Sequence, residues 1–112
     1  MATKQSTIDY IEDQLAEVPE IRSQKMFGEY ALYCGAKVVA LVCDEKVFMK
    51  ITDEGRAFVG DRYEEGCAYP GAKPSMYIDE ELVEDHEWFS ELIRITERSL
   101  PMPKVKKKRV MK

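Results

Sequence analysis

Residues 23–51 restrict the folds open to this chain more than any other feature. Apolar and polar side chains alternate along them with a two-residue period, and glycine or acidic residues interrupt the pattern at short intervals. β-Branched and aromatic residues between such turns are typical of antiparallel strands joined by hairpins. We therefore predict a meander of four strands, at residues 25–27, 29–34, 37–43 and 46–51, with turns at residues 28, 35–36 and 44–45.

The third predicted strand has an unusual composition. Residues 38–43, Val-Val-Ala-Leu-Val-Cys, are apolar at every position. A strand of this kind is normally central in its sheet and covered at least in part on both sides, by a helix, a loop or another subunit. A homodimer that covers the second side is therefore one arrangement consistent with the pattern.

Helical spacing of apolar residues precedes the meander. Ile8, Ile11, Leu15 and Val18 predict a first helix over about residues 7–18, which the following proline ends. Ser6 is the expected N-cap, because its hydroxyl is able to accept a backbone N–H of the first turn.

Two further helices are predicted after the meander. Thr52 or Asp53 is expected to cap a short one that Gly60 closes. Asp79 is expected to open the longest one, which the proline at position 101 stops. Its apolar face consists of Trp88, Phe89, Leu92, Ile93, Ile95 and Leu100, and its polar face includes Ser90.

The segment between these two helices is less regular, because glycine and proline recur in it. Residues 75–78 alternate again and predict one last, edge-like strand. The expected fold is therefore α+β with two layers, an antiparallel sheet of about five strands packed by the N- and C-terminal helices.

Size and composition indicate one ordinary domain. We predict that a chain of 112 residues forms a domain over residues 1–100, followed by a basic tail over residues 101–112. The longest apolar run is too short to cross a bilayer, and the N-terminus lacks the basic start and apolar core of a secretory signal. Three cysteines at unrelated spacings fit reduced thiols better than disulfides. We expect a cytoplasmic protein without membrane contact.

Charge is divided unevenly along the chain, although the net charge is only -4. Removing the tail leaves eleven basic against twenty-one acidic residues, and a body this acidic repels phosphate backbones. Nucleic acid is therefore expected to bind only weakly, through the tail, if at all. The other interpretations are a solvated tail and a tail that folds back onto the acidic body. Its cations are Lys104, Lys106, Lys107, Lys108, Arg109 and Lys112.

An ordered set of short segments matches a known family. The set begins with Lys-Met-Phe-Gly-Glu-Tyr-Ala-Leu-Tyr at residues 25–33 and continues with Ala-Leu-Val at 40–42 and Val-Phe-Met-Lys at 47–50. Tyr-Pro-Gly at 69–71, Ser-Met-Tyr at 75–77, Glu-Glu-Leu at 80–82 and Trp88 follow. Over nearly all of residues 8–100, the chain resembles the N-terminal domain family of TfoX (Sxy), the bacterial competence regulator.

This resemblance implies a secretion-chaperone-like domain with helices on one side of an antiparallel sheet. It also implies a role in regulating DNA-uptake competence or other transcription, through contact with an unidentified regulatory protein and not through chemistry. The C-terminal domain of full-length TfoX has no counterpart here, since the short basic tail stands in its place. We therefore expect a stand-alone member of the family.

The candidate catalytic and metal-binding residues have simpler interpretations. His86 lies among acidic residues that suit a proton-transfer or metal site, but the first turn of a helix favours solvated acids in any case. Cys34 and Cys43 fall at predicted strand ends and are expected to pack as small hydrophobes, which leaves Cys67 as the thiol to test for reactivity. No phosphate-binding glycine motif is present. We predict a protein that is not an enzyme, with no catalytic residue, no metal site and no cofactor.

Aromatic residues around the Pro-Gly segment form the candidate partner surface. Such side chains offer a large contact area at a low cost in entropy. The alternative is that they cover the open end of the core. The set consists of Tyr63, Tyr69, Pro70, Gly71 and Tyr77.

Overall fold

A computed structural model of the chain describes residues 3–26 and 29–101. Within these ranges the chain forms one six-stranded sheet and four α-helices. A single 3-10 turn, Gly60–Arg62, follows the second helix. In chain order the elements are α1 Gln5–Gln14, β1 Ile21–Met26, β2 Glu29–Cys34, β3 Lys37–Cys43, β4 Lys46–Met49, α2 Asp53–Val59, β5 Glu65–Cys67, β6 Pro74–Ile78, α3 Glu80–Glu84 and α4 His86–Ser99.

The predicted meander is confirmed. All neighbouring strands are antiparallel, in the order β1-β2-β3-β4-β6-β5, so the apolar strand β3 lies inside the sheet. β1 begins earlier than predicted, at Ile21, and the turn predicted at Gly28 falls outside the described residues. The turn between β3 and β4 places both Asp44 and Glu45 at positive φ, 54° and 67°, as a tight hairpin requires.

The end of the sheet differs from the prediction. β6 is not an edge strand, because the unpredicted β5 pairs with it through Glu65, Gly66 and Cys67. Three residues that include a glycine carry no recognisable alternation, which explains why the sequence pattern missed this sixth strand. β5 and β1 are therefore the two edges of the sheet.

The predicted N-cap of α1 was wrong. The helix begins at Gln5, so Ser6 lies inside it, and Lys4 occupies the N-cap without a side-chain bond. The Glu45 carboxylate holds this end of the helix from outside, since it accepts the Lys4 backbone N–H at 2.7 Å and the hydroxyl of Thr7. A contact from a turn about forty residues away leaves no local sequence signal.

The second helix agrees with its prediction. The Thr52 hydroxyl accepts the backbone N–H of Gly55 at 2.9 Å, and Gly60 ends α2 with φ +62°. Gly55 leaves room for the capping side chain, because a Cβ there would lie 2.8 Å from the Thr52 hydroxyl oxygen, whereas a Leu92 methyl carbon of α4 would be in ordinary contact at 3.6 Å.

The longest predicted helix is two helices. Asp79 caps α3 as predicted, but the chain leaves helical geometry at Asp85, whose carboxylate then accepts the Trp88 backbone N–H at 3.2 Å and caps α4. Aspartate favours such caps because its short side chain competes with the helical backbone. Ser90 is fully buried instead of lying on the polar face.

The far end of α4 is attached to the sheet by one lysine. The Lys37 ammonium group donates to the backbone carbonyl oxygens of Glu97 at 2.7 Å and Leu100 at 2.8 Å. Cations are favoured at this end of a helix, where carbonyl groups lack internal partners. The side chain of Lys37 is only 11% exposed.

The core lies between one side of the sheet and the helices, which confirms the two-layer α+β fold. Strand positions that face the same side, as the register shows, contribute Tyr30, Leu32, Cys34, Ala40, Val42, Val47, Met49, Met76 and Ile78. The helices contribute Ile8, Ile11, Val59, Leu82, Val83, Phe89, Leu92 and Ile93 to the same cluster. Within the described residues, all four helices contribute to this one side of the sheet.

Candidate interaction surface

The opposite side of the sheet carries a second set of apolar side chains. They come from alternate positions of the strands, which the register places away from the core cluster. Leu41, Val38, Tyr33 and Tyr77 are half-buried there, and Met26 is exposed. We call this surface the open face, and its members are Arg22, Gln24, Met26, Ala31, Tyr33, Val38, Leu41, Cys43, Lys46, Phe48, Ser75 and Tyr77.

The side chains of the open face pack against one another. The rings of Phe48 and Tyr77 lie 5.8 Å apart between centroids at an interplanar angle of 44°, and Phe48 retains only 8% exposure. The Arg22 guanidinium lies over the Tyr33 ring, 4.2 Å from its centroid. A Cβ at Gly66 would approach the Phe48 ring to 3.2 Å, so that glycine leaves room for the ring. The result is a surface whose three aromatic rings, those of Tyr33, Phe48 and Tyr77, each contact another side chain of the open face.

Charge distinguishes the open face from the helical side. The open face presents two cations, Arg22 and Lys46. Glu29 lies on the same face, opposite Met26 in the register, and is held at the β3–β4 turn, where its carboxylate accepts the Thr3 hydroxyl at 2.6 Å and the Asp44 backbone N–H at 3.1 Å. The helices carry most of the exposed carboxylates, among them Asp9, Asp13, Glu54, Glu80, Glu81, Glu84, Glu87 and Glu91.

The predicted partner-surface residues fall in three places. Tyr69, Pro70 and Gly71 form a turn at the end of the β5–β6 hairpin, closed by a bond from the Ala72 backbone N–H to the Tyr69 carbonyl at 3.0 Å. Gly71 has φ +87°, as a turn with proline before glycine requires. Tyr69 is 55% exposed, so this corner of the sheet presents a free aromatic ring.

The two remaining tyrosines lie apart from that turn. Tyr77 belongs to the open face. Tyr63 packs against the core cluster, its hydroxyl donates to the Glu65 carboxylate at 2.6 Å, and the Arg56 guanidinium lies 4.6 Å from its ring centroid. The predicted tail cations, Lys104, Lys106, Lys107, Lys108, Arg109 and Lys112, lie outside the described residues.

The cysteines differ in accessibility. Cys34 and Cys43 are buried, whereas Cys67, at the end of β5, is exposed. Burial, together with the nearby carboxylates of Glu97 and Glu20, raises the pKa of the Cys34 thiol. Burial, together with Glu29 and Asp44, raises the pKa of the Cys43 thiol in the same direction. Both buried thiols are therefore poor nucleophiles near neutral pH.

His86 is exposed at the first position of α4. Within residues 3–26 and 29–101, no group of three or more His, Cys, Asp or Glu side chains is arranged to hold a metal ion. Nor does any helix in the same ranges have the length and apolar content needed to cross a membrane.

A groove opens between α1 and α3 where β4 and β6 meet. It has a volume of about 420 Å³ and an apolar floor formed by Ile11, Val47, Ile78 and Val83. Carboxylates line its rim, and they act on the exposed Tyr10, whose pKa is raised by partial desolvation and by the charges of Glu84 and Glu80. The rim residues are Ser6, Thr7, Tyr10, Glu45, Lys46, Tyr77, Glu80 and Glu84.

Comparison with known proteins identifies the family. A family model described as the TfoX N-terminal domain matches residues 13–99, which is well over half of the chain. The chain belongs to the TfoX N-terminal domain family. It is also 41% identical over 107 residues to an uncharacterised 12.7 kDa protein, encoded in the trpE 5′ region of Spirochaeta aurantia. The alignment covers 96% of this chain and 91% of that relative, so this TfoX N-terminal domain and its relative correspond over nearly their whole lengths.

Tyr77 was predicted from the sequence as part of a partner surface, but the rest of the open face of this TfoX N-terminal domain was not. A signal was present, since β3 is apolar on both faces and Phe48 alternates with the core residues Val47 and Met49. The sequence pattern does not show on which side of the sheet the helices pack. That information resides in the tertiary arrangement and follows only when the register and the core are known.

Proposed function

We propose that this TfoX N-terminal domain is a non-enzymatic interaction module in gene regulation and that it binds a regulatory protein through the open face. One observation carries the proposal: apolar and aromatic side chains of four neighbouring strands, β2, β3, β4 and β6, lie on a side of the sheet that the four helices leave free. Membership of the TfoX N-terminal domain family supports a role in gene regulation, and the apolar open face supports binding to a protein.

The size of the open face is consistent with an interface. The whole sheet, six strands about 4.8 Å apart with about five residues each at roughly 3.3 Å, spans on the order of 400 Å² in projection, and the apolar members of the open face occupy part of that area. Contiguous exposed apolar patches of a few hundred Å² are often functional. A stable interface buries about 800 Å² on each partner, so the exposed Tyr69 turn at the corner of the sheet is expected to add contacts.

The charges of the open face favour a partner with acidic and apolar side chains. Arg22 and Lys46 flank the apolar centre from opposite sides, and the Glu29 carboxylate is already engaged. Carboxylates at the rim of a partner would therefore meet cations, while its apolar side chains pack on Leu41 and Tyr77. Charge complementarity of this kind raises the association rate and selects the partner.

A single-stranded nucleic acid is a poorer match for the same surface. Bases bind proteins by stacking on free aromatic faces. Phe48 is 8% exposed and tilted against Tyr77, and Arg22 lies over the Tyr33 ring. The aromatic rings of the open face are therefore largely occupied by their own neighbours.

Photo-crosslinking tests the proposal. A photoreactive phenylalanine analogue is placed at Leu41 or Tyr77, and a matched control carries it at Ala57, an exposed position of α2. In native lysate, the two open-face positions should give the same discrete protein adduct, and Ala57 should not. Purification of that partner should then show binding that Arg22→Glu weakens at least tenfold. Equal adducts at all three positions, adducts with nucleic acid or adducts with a second copy of this chain would each overturn the proposal.

A further inference from the structure

The groove between α1 and α3 has the shape and charge of a peptide-binding site. Its floor is apolar, and its volume of about 420 Å³ accommodates several side chains. A shallower depression lined by Asp44, Asp79 and Glu81 adjoins it and shares Glu45, Lys46, Tyr77 and Glu80 with it. Together they form one trough that crosses the end of β4 and β6.

The trough has an excess of negative charge within the described residues. Arg62 pairs with Asp79 at 2.9 Å and with Glu81 at 3.1 Å, and Lys46 lies 3.7 Å from Asp44. The carboxylates of Glu80 and Glu84 have no cation within salt-bridge distance in the described part of the chain. An occupant with several cations and a few apolar side chains would complement both the rim and the floor.

The chain itself contains such a segment. Residues 104–112 read Lys-Val-Lys-Lys-Lys-Arg-Val-Met-Lys, with six cations and three apolar residues. They lie outside the described residues, and the sequence gives their composition and their distance along the chain from Pro101. An isolated cluster of carboxylates would attract any cation, whereas an apolar floor selects a segment in which Val105, Val110 or Met111 accompanies the charges.

The reach of the segment fits the groove. Val83 and Glu84 line the groove just before α4, and α4 has 14 residues, so about 21 Å along the helix separate the groove from Pro101. Residues 106–109 lie five to eight positions after Pro101. At roughly 3.3 Å per extended residue they reach about 17 to 26 Å from it. The chain between Pro101 and residues 106–109, which carry the densest run of positive charge, is therefore long enough to reach the groove.

We infer that the groove between α1 and α3 binds the chain's own basic segment, residues 104–112, within one molecule. The bound segment places Lys106–Arg109 against Glu80 and Glu84 and at least one of its apolar side chains on the floor. In this state the cations are withheld from polyanions such as nucleic acid. The groove borders the open face at Lys46 and Tyr77, and the residues whose replacement tests the inference, Glu80 and Glu84, lie outside the open face.

Paramagnetic relaxation in the full chain tests the inference. A nitroxide label is attached to Met111→Cys in a Cys67→Ser background. The label goes to that position alone, because the two remaining cysteines, Cys34 and Cys43, are buried. At low salt, amide signals of Tyr10, Val47 and Glu84 should lose more than half of their intensity, and 1 M NaCl should restore them. Replacing both Glu80 and Glu84 by Lys should abolish the effect. The matched pair Glu87→Lys and Glu91→Lys, on exposed positions of α4, should preserve it.

A mixing experiment separates the intramolecular arrangement from exchange between copies. Spin-labelled protein at natural isotope abundance is mixed with ¹⁵N-enriched protein that carries no spin label. The amide signals of the groove residues should keep full intensity. Loss of intensity in the mixture would assign the segment to a second copy and overturn the inference. Full intensity at the groove in the labelled protein itself at low salt, or an effect that survives both Glu80→Lys and Glu84→Lys, would overturn it as well.

Discussion

The ring of Phe48 packs against the ring of Tyr77 across two neighbouring strands, with centroids 5.8 Å apart, on the side of the sheet away from the helices. The two residues are direct partners in the register of β4 and β6. An aromatic pair of this kind contributes about 0.5–1.5 kcal/mol beyond the area it buries. The open face is therefore part of the stability of the domain as well as a candidate binding surface.

Tyr77→Ala should lower both stability and partner binding. Loss of the pair and of the ring's contact area is expected to reduce the free energy of unfolding by about 1–3 kcal/mol. Urea denaturation measures the change. Tyr69→Ala is the control, because that ring is 55% exposed and its loss should change stability by less than about 0.5 kcal/mol. Equal losses for the two variants would contradict the packing described for Phe48.

Gly55→Ala should destabilise the domain only while Thr52 keeps its hydroxyl. The added Cβ would lie 2.8 Å from that oxygen and disturb the N-cap of α2, at a cost of about 1–2 kcal/mol. In a Thr52→Ala background the clash is absent, and alanine should then stabilise the helix by about 0.5–1 kcal/mol relative to glycine. Thermal unfolding of the four variants gives the double-mutant cycle. If Gly55→Ala lowers stability equally in both backgrounds, the contact of the added methyl group with Leu92, and not with the Thr52 hydroxyl, would be the cause.

Alkylation should distinguish the three thiols. Iodoacetamide at neutral pH is expected to modify Cys67 in the folded protein at least tenfold faster than the other two thiols, because these are buried and their pKa is raised. Mass spectrometry of peptides reports each site. A Cys67→Ser variant should then remain almost unmodified until denaturant is added, and rapid labelling of Cys34 or Cys43 in that variant would contradict the burial.

Asp79 should make stability depend on pH in the acidic range. Burial alone would raise its pKa, but the Leu82 backbone N–H and the Arg62 guanidinium hold the pKa below its ordinary value of 3.8. A lowered pKa in the folded state means that the stabilisation is fully present above pH 3.8 and is lost as the pH falls through the lower value.

Asp79→Asn isolates this charge, because asparagine retains the N-cap. The variant should be slightly less stable than the parent at pH 7, since the pair is exposed, and the difference should shrink as the pH falls below 3.8. Denaturation curves at several pH values measure the difference, with Arg62→Gln as the partner variant. A difference that persists unchanged at pH 2 would assign the effect to the cap and not to the charge.

The sequence predicted those parts of the fold whose signals are local. The bounds of β2 and β3, the caps at Thr52 and Asp79 and the turn at Asp44 all follow from residues within a few positions of the feature. The start of α1 was mispredicted, because the helix has no side-chain cap and its first residues are held by the carboxylate of Glu45 in a distant turn. The same limit applies to the candidate surface. Tyr77 was predicted from the sequence, but its neighbours on adjacent strands could be identified only once the strand register was known.

The ammonium group of Lys37 joins the last turn of α4 to the first residue of β3. Leu100 also packs against the core cluster, so the end of α4 is held by a polar and an apolar contact together. A module attached after that turn, by gene fusion in evolution or by cloning, would inherit both contacts. Replacing the lysine by methionine would remove the two bonds to carbonyl oxygens and leave the apolar contact in place.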